Sequence, residues 1–125
     1  MLNPTEIANL VVSTLDNKKA RDVKLLRTTD VTILADYFVI CTAGSTTQLK
    51  TLSDELEKVL KKAGEMSLRR EGYRTSNWVL IDYGCVIVHL FLQDTREFYS
   101  LERLWSDAED INVSELIKEL PMNAI

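Results

Sequence analysis

The chain's one histidine, His89, sits inside the apolar run "GCVIVHLF" (84–91). An imidazole in a protein can take a proton as a general base, ligate a metal or change charge near neutral pH. On a strand, Cys85, Ile87, His89 and Phe91 share one face, and Val86, Val88 and Leu90 share the other. Three uses of His89 stay open: a half-buried ring held by one hydrogen bond, a catalytic base, or a contact on a surface that a partner covers. No serine or cysteine nucleophile is evident beside it in sequence. Trp78, Leu80 and Asp82 alternate on the preceding segment, so either Trp78 or Val79 faces the histidine's side. Tryptophan, tyrosine and arginine are the residue types that anchor interfaces. Trp78, Tyr83, Arg96, Tyr99 and Trp105 fall within 28 residues of one another, and of the nearby aromatics Phe98 and Trp105 are expected in the core.

The second place for chemistry is Gly44-Ser45, which follows a strand-like run and opens a helix-like one. Free amides at a helix start bind phosphate. Nucleotidyltransferases use such a pair, followed by two strand carboxylates, one residue apart, that hold Mg²⁺. Here Asp54 and Glu55 come next, in a helical stripe with Leu56 after them. Adjacent helical residues point about 100° apart and cannot share a metal ion. A plain helix cap is the simpler reading, and nucleotide binding is the alternative it leaves. Cys41 and Cys85 lack a CxxC spacing, and one histidine does not complete a zinc site. They read as buried small hydrophobes in a reducing compartment. No cofactor and no metal is expected.

These residues need elements to hold them. "NPTEIANLVVSTLDNKK" (3–19) predicts a helix capped by Asn3, with Pro4 in its first position and Ile7, Leu10, Val11 and Leu15 on one face. "DVKLLRT" (22–28) predicts a strand. "TILADYFVICTAG" (32–44) predicts another, apolar on both faces from Tyr37 to Cys41 and therefore central. "GSTTQLKTLSDELEKVLKKAG" (44–64) predicts a helix. Ser45 and Gln48 form a capping-box pattern, the Leu49, Leu52, Leu56, Val59, Leu60 and Ala63 stripe is buried, and Gly64 is the stop. "MSLRRE" (66–71) predicts a short strand. "NWVLIDYGCVIVHLF" (77–91) predicts two strands joined by a tight turn at Asp82-Tyr83-Gly84, where Gly84 supplies a positive φ. "REFYSLERLW" (96–105) reads as a short helix, and "VSELIKEL" (113–120) as a frayed terminal one. The order α-β-β-α-β-β-β-α predicts an α/β (α+β) domain. It has one sheet of about five strands, mixed because a helix follows the second, with helices packed on it.

Bulk composition narrows the classes. The chain has 125 residues, 46% of them hydrophobic and 27% charged, enough for one domain with its own core. Its net charge of −4 disfavours non-specific nucleic-acid binding. Residues 1–63 carry nine Lys/Arg and eight Asp/Glu, whereas residues 64–125 carry six and eleven. The acidic excess follows residue 93 and suits either solubility or a basic partner. Only "SLRREGYRTSN" (67–77), with three arginines, suggests contact with RNA. No apolar stretch is long enough for a membrane span and no signal peptide is visible, so a cytoplasmic location is expected.

The ordered motifs "ADYFVICTAGSTTQ" (35–48), "EG" (71–72), "WVLIDYG" (78–84), "VIVHLF" (86–91), "REFYSLERLW" (96–105) and the "SDAE" after them resemble the ribosomal silencing factor family, also called Iojap-related proteins, over roughly residues 5–109. The resemblance implies one domain over residues 1–109 with 110–125 as a C-terminal tail. The implied fold is distantly nucleotidyltransferase-like without the catalytic carboxylates. It implies no catalysis. The expected action is binding to the large ribosomal subunit through its protein number fourteen. The bound factor then blocks joining of the small subunit and represses translation when nutrients are scarce. Some members self-associate as homodimers. Carried onto this chain, the partner-binding residues are Trp78, Asp82, Tyr83 and His89 of the hairpin. Arg96, Tyr99 and Glu102 lie beside them, with Asp36 and Tyr37 next door. The family often has an acidic residue after the turn glycine, where Cys85 stands here, so a charged contact is absent. An RNA-binding module of ribosome assembly is the other reading.

Overall fold

The computed structural model describes residues 2–28, 35–72 and 77–92, together with the backbone of 109–111. Helix α1 (Pro4–Asn17) starts as its sequence predicts. The Asn3 side chain accepts from the Glu6 amide at 2.8 Å, and Glu6 accepts from the Asn3 amide at 3.0 Å. Two amides that a helix start leaves without partners are thereby satisfied.

Helix α2 (Thr46–Lys62) uses a variant of that device. Ser45 Oγ accepts from the Gln48 amide at 3.1 Å, but Gln48 Oε1 reaches one residue further back, to the Gly44 amide at 2.6 Å. Gln48 Nε2 also donates to the Lys19 carbonyl at 3.2 Å, which ties the start of α2 to the end of α1. A Cβ at Gly44 would lie 2.6 Å from the Arg21 guanidinium, the mobile end of an exposed side chain that can swing aside.

The strands are β1 (Arg21–Arg27), β2 (Tyr37–Ala43), β3 (Arg69–Glu71), β4 (Trp78–Asp82), β5 (Val86–Leu92) and β6 (Glu109–Ile111). They form one mixed sheet in the order β3-β4-β5-β2-β1-β6. Its centre is β2 paired in parallel with β5, Tyr37 opposite Val86 through Ala43 opposite Leu92. The other described pairs are antiparallel. The parallel partner of β2 is therefore not the strand that follows α2. The tight turn makes β4 and β5 antiparallel neighbours, and β5 rather than β3 fills the place beside β2. The sixth strand, β6, crosses the domain boundary expected at residue 109. Three residues are too few for an alternation signal.

Both helices cover one face of the sheet. Ile7, Val11, Leu15, Leu52, Leu56 and Leu60 pack there against Val39, Cys41, Val79, Ile81, Val88 and Leu90, all nearly or fully buried. At roughly 2 kcal/mol per buried aliphatic side chain, this interface dominates the fold's stability. The opposite face carries a second cluster of Leu26, Ala35, Phe38, Ile40 and Phe91, flanked by Trp78 and Ile87. No residue of α1 or α2 belongs to it.

The turn between β4 and β5 holds Gly84 at φ +85°, as its sequence predicts. An added Cβ would also meet Leu68 Cδ1 at 3.4 Å. Replacing Gly84 by Ala is expected to lower stability by about 1–2 kcal/mol through left-handed strain, read as a lower urea midpoint with an unchanged slope.

Candidate functional site

In the β4–β5 hairpin Trp78 is opposite Phe91, Leu80 opposite His89 and Asp82 opposite Ile87. Val79 and Ile81 face the helices, so the first member of the Trp78-or-Val79 pair shares the histidine's side. The Trp78 indole Nε1–H donates to His89 Nδ1 at 3.2 Å. Trp78 stacks on Phe91 with ring centres 5.6 Å apart and planes 12° apart. His89 lies beside them, 5.8 Å from the Trp78 ring and 5.4 Å from that of Phe38, the latter tilted by 50°.

His89 is only 6% exposed. Burial pushes its pKa down to about 4, because the charged form would lose its hydration. With Nδ1 accepting from an indole, the proton of the neutral ring resides on Nε2, which is buried and has no hydrogen-bond partner among the described residues. The one basic lone pair of the ring is thus occupied by Trp78. Of its three uses, the geometry matches the ring held by one hydrogen bond.

The other candidates divide. Asp82 is on the same strand face, and it is structurally employed: Oδ1 accepts from the Gly84 amide at 2.7 Å and Oδ2 lies 3.4 Å from Arg69 Nε. Tyr83 turns the other way, into the helix-side core, with its hydroxyl buried. Burial, then the Glu57 carboxylate, raises its pKa beyond the ordinary tyrosine range, against a smaller lowering by Arg70. Tyr37 also packs at the helix side and shares a hydrogen bond with Thr5 Oγ1 at 3.1 Å. The amides of Asp36 and Tyr37 both donate to the Cys85 carbonyl, at 2.8 and 3.1 Å. Arg96, Tyr99 and Glu102 lie outside the described residues, as do Phe98 and Trp105.

Cys85 falls on the helix side, not on the face of His89. The strand starts at Val86, and the Gly84 turn breaks the alternation one residue earlier. Burial and the nearby Asp36 and Glu65 carboxylates raise the thiol's pKa, outweighing a hydrogen bond that lowers it, so this cysteine is held protonated.

Trp78 also lines a half-open pocket of about 220 Å³ with Glu71, Gly72 and Leu80. These three were not among the candidates. Leu80 was legible from its alternation with Trp78 and Asp82. Glu71 was not, because its place beside Trp78 depends on β3 pairing with β4, Glu71 opposite Leu80. Arg69 spans the two carboxylates, 3.5 Å from Glu71 and 3.4 Å from Asp82. At the other candidate place, Gly44-Ser45, the Gly44 amide is engaged by Gln48. Among the described residues no three His, Cys, Asp or Glu side chains cluster as metal ligands, and no helix is long and apolar enough to cross a membrane.

Fold and site define a small α+β domain with one mixed sheet and a half-buried indole braced on a neutral imidazole near the sheet's edge. The chain belongs to the ribosomal silencing factor family: the model of the family described as "Ribosomal silencing factor during starvation" matches residues 2–124. It is 40% identical over 112 residues to the ribosomal silencing factor of Halalkalibacterium halodurans, covering 90% of this chain and 96% of that one. It is 34% identical over 101 residues to mouse "Mitochondrial assembly of ribosomal large subunit protein 1", covering 78% of this chain and 44% of that protein. A crystal structure from Chromobacterium violaceum superposes with a TM-score of 0.82 at 33% identity, covering 84% and 88% of the two chains.

The buried imidazole makes stability depend on pH. Its folded pKa of about 4 lies below the ordinary 6.5, so the unfolded chain takes up the proton first. Stability conferred by this site is complete above pH 6.5 and falls as pH drops from 6.5 towards 4. Urea midpoints between pH 7 and 5 are expected to decline more steeply for the wild type than for His89→Phe, which has no proton to bind there. Parallel pH profiles would contradict the assignment.

Proposed function

We propose that this protein docks on the large ribosomal subunit through its protein number fourteen, on the face that meets the small subunit. Once docked it obstructs subunit joining by occupying space, and so represses translation when nutrients are scarce. Family membership across residues 2–124 carries this reading. The mouse relative, named for assembly of the ribosomal large subunit, supports the choice of subunit.

The geometry supports Trp78 as the anchor. Trp78 is half-buried, and its plane is set by a hydrogen bond and two ring contacts. A rigid aromatic side chain loses little conformational freedom on binding, which is what makes tryptophan effective at an interface. His89 acts from behind it as a brace. The eleven acidic residues against six basic ones in residues 64–125 give this half of the chain a charge that attracts basic ribosomal proteins. An interface of about 800 Å² on each side is enough for a stable complex. The obstruction is then steric: a 14.3 kDa body fills space that the small subunit must enter. Such a protein works where ribosomes are, in the cytoplasm.

Trp78→Ala is expected to weaken co-sedimentation with purified large subunits by roughly 2 kcal/mol, or about 30-fold, and to restore subunit joining in proportion. Trp78→Phe keeps the stack on Phe91 and serves as the folding control. Wild-type pelleting by a folded Trp78→Ala protein would refute the anchor. Free joining of subunits with the wild-type protein bound would refute the steric account.

A further inference from the structure

We propose that the pocket between Glu71 and Trp78 receives the guanidinium of an arginine side chain presented by a protein partner. The assignment deepens the docking reading above and rests on it for the identity of that partner. Its parts are those of a cation receptor. One wall is the indole of Trp78, held in orientation by His89 and Phe91. A second is the carboxylate of Glu71, whose side chain is 61% exposed. Leu80 adds a half-buried apolar surface, and Gly72 adds backbone with no side chain to fill the space of about 220 Å³.

Each wall selects for the same group. An aromatic face attracts a cation, and tryptophan does so best. A carboxylate accepts two parallel N–H donors from a guanidinium. Only arginine satisfies both at once, since its charged group is flat and carries five donors in a fixed fork. Lysine brings the charge without the plane. A nucleotide would bring a flat ring, but its phosphate would approach Glu71 in a chain of net charge −4.

Arg69 makes the exchange inexpensive. It lies 3.5 Å from Glu71 and 3.4 Å from Asp82, and its own side chain is 57% exposed. Exposed pairs at such distances contribute little to stability. When a partner's guanidinium takes Glu71, Arg69 keeps Asp82, so neither carboxylate loses its counter-charge. Arg69 thus holds Glu71 weakly, and a partner's guanidinium can hold it better.

The test follows the Trp78 indole N–H resonance, identified by its loss in Trp78→Phe, during titration with N-acetyl-arginine amide. N-acetyl-citrulline amide is the uncharged counterpart, and uridine monophosphate is the flat anionic one. The arginine derivative is expected to shift the resonance saturably and the other two to leave it in place. Glu71→Gln, at an exposed position, is expected to weaken the arginine response about tenfold. Equal shifts with citrulline, a preference for the nucleotide, no shift with arginine, or an unchanged response in Glu71→Gln would each overturn the proposal. Pelleting the same proteins with large subunits separates the two readings. Ribosome binding without an arginine response removes the pocket alone. An arginine response without ribosome binding leaves the pocket and removes the ribosomal target.

Discussion

The hydrogen bond from Trp78 Nε1–H to His89 Nδ1 sets the character of the sheet's second face. It joins two polar atoms in an apolar setting, where either atom left alone would cost about 1–3 kcal/mol. It also fixes the tautomer of the ring and the plane of the indole together. A protonated imidazole cannot accept that bond, so burial and hydrogen bonding favour the same neutral form. Phe91 and Phe38 close around the pair and add dispersion contacts. The plane of the indole is therefore set within the chain itself, by a buried imidazole and by the ring of Phe91.

Much of this arrangement can be read from residue order, and the losses have particular causes. Asn3, Pro4 and Glu6 specify the start of α1, and Ser45 with Gln48 specifies that of α2, because capping is local chemistry. The hairpin is legible from period-two alternation and from one glycine. Alternation fails at Gly84, and with it the side assigned to Cys85. Tyr83, just before the glycine, turns towards α2 through a backbone geometry that no spacing rule encodes. The partner of β2 and the place of Glu71 beside Trp78 depend on pairings between distant segments. The acidic residues of β6 belong to a strand too short to show a pattern. The motifs were specific enough to name the family, while the hydrogen bond between Trp78 and His89 needed their coordinates.

The two faces of the sheet bury different kinds of side chain. The helix-side cluster holds most of the buried aliphatic surface, including Leu15, Leu52, Leu56 and Leu60. Phe38, Phe91 and Trp78 gather on the other face. A substitution at the Trp78 pocket perturbs few of the contacts that keep the helices in place. Charge follows a similar division along the chain, near balance in residues 1–63 and strongly acidic in 64–125.

The parallel seam at the centre of the sheet has a consequence for biosynthesis. Every one of its pairs joins residues 49 positions apart, from Tyr37 with Val86 to Ala43 with Leu92. Such long-range pairing closes late and slowly. While the polypeptide emerges, β1, β2 and both helices exist without the strand that completes their shared core. The seam is complete only once Leu92 has left the exit tunnel, so over the 49 residues added after Ala43 the apolar flank of β2 stays uncovered and in need of protection from premature association.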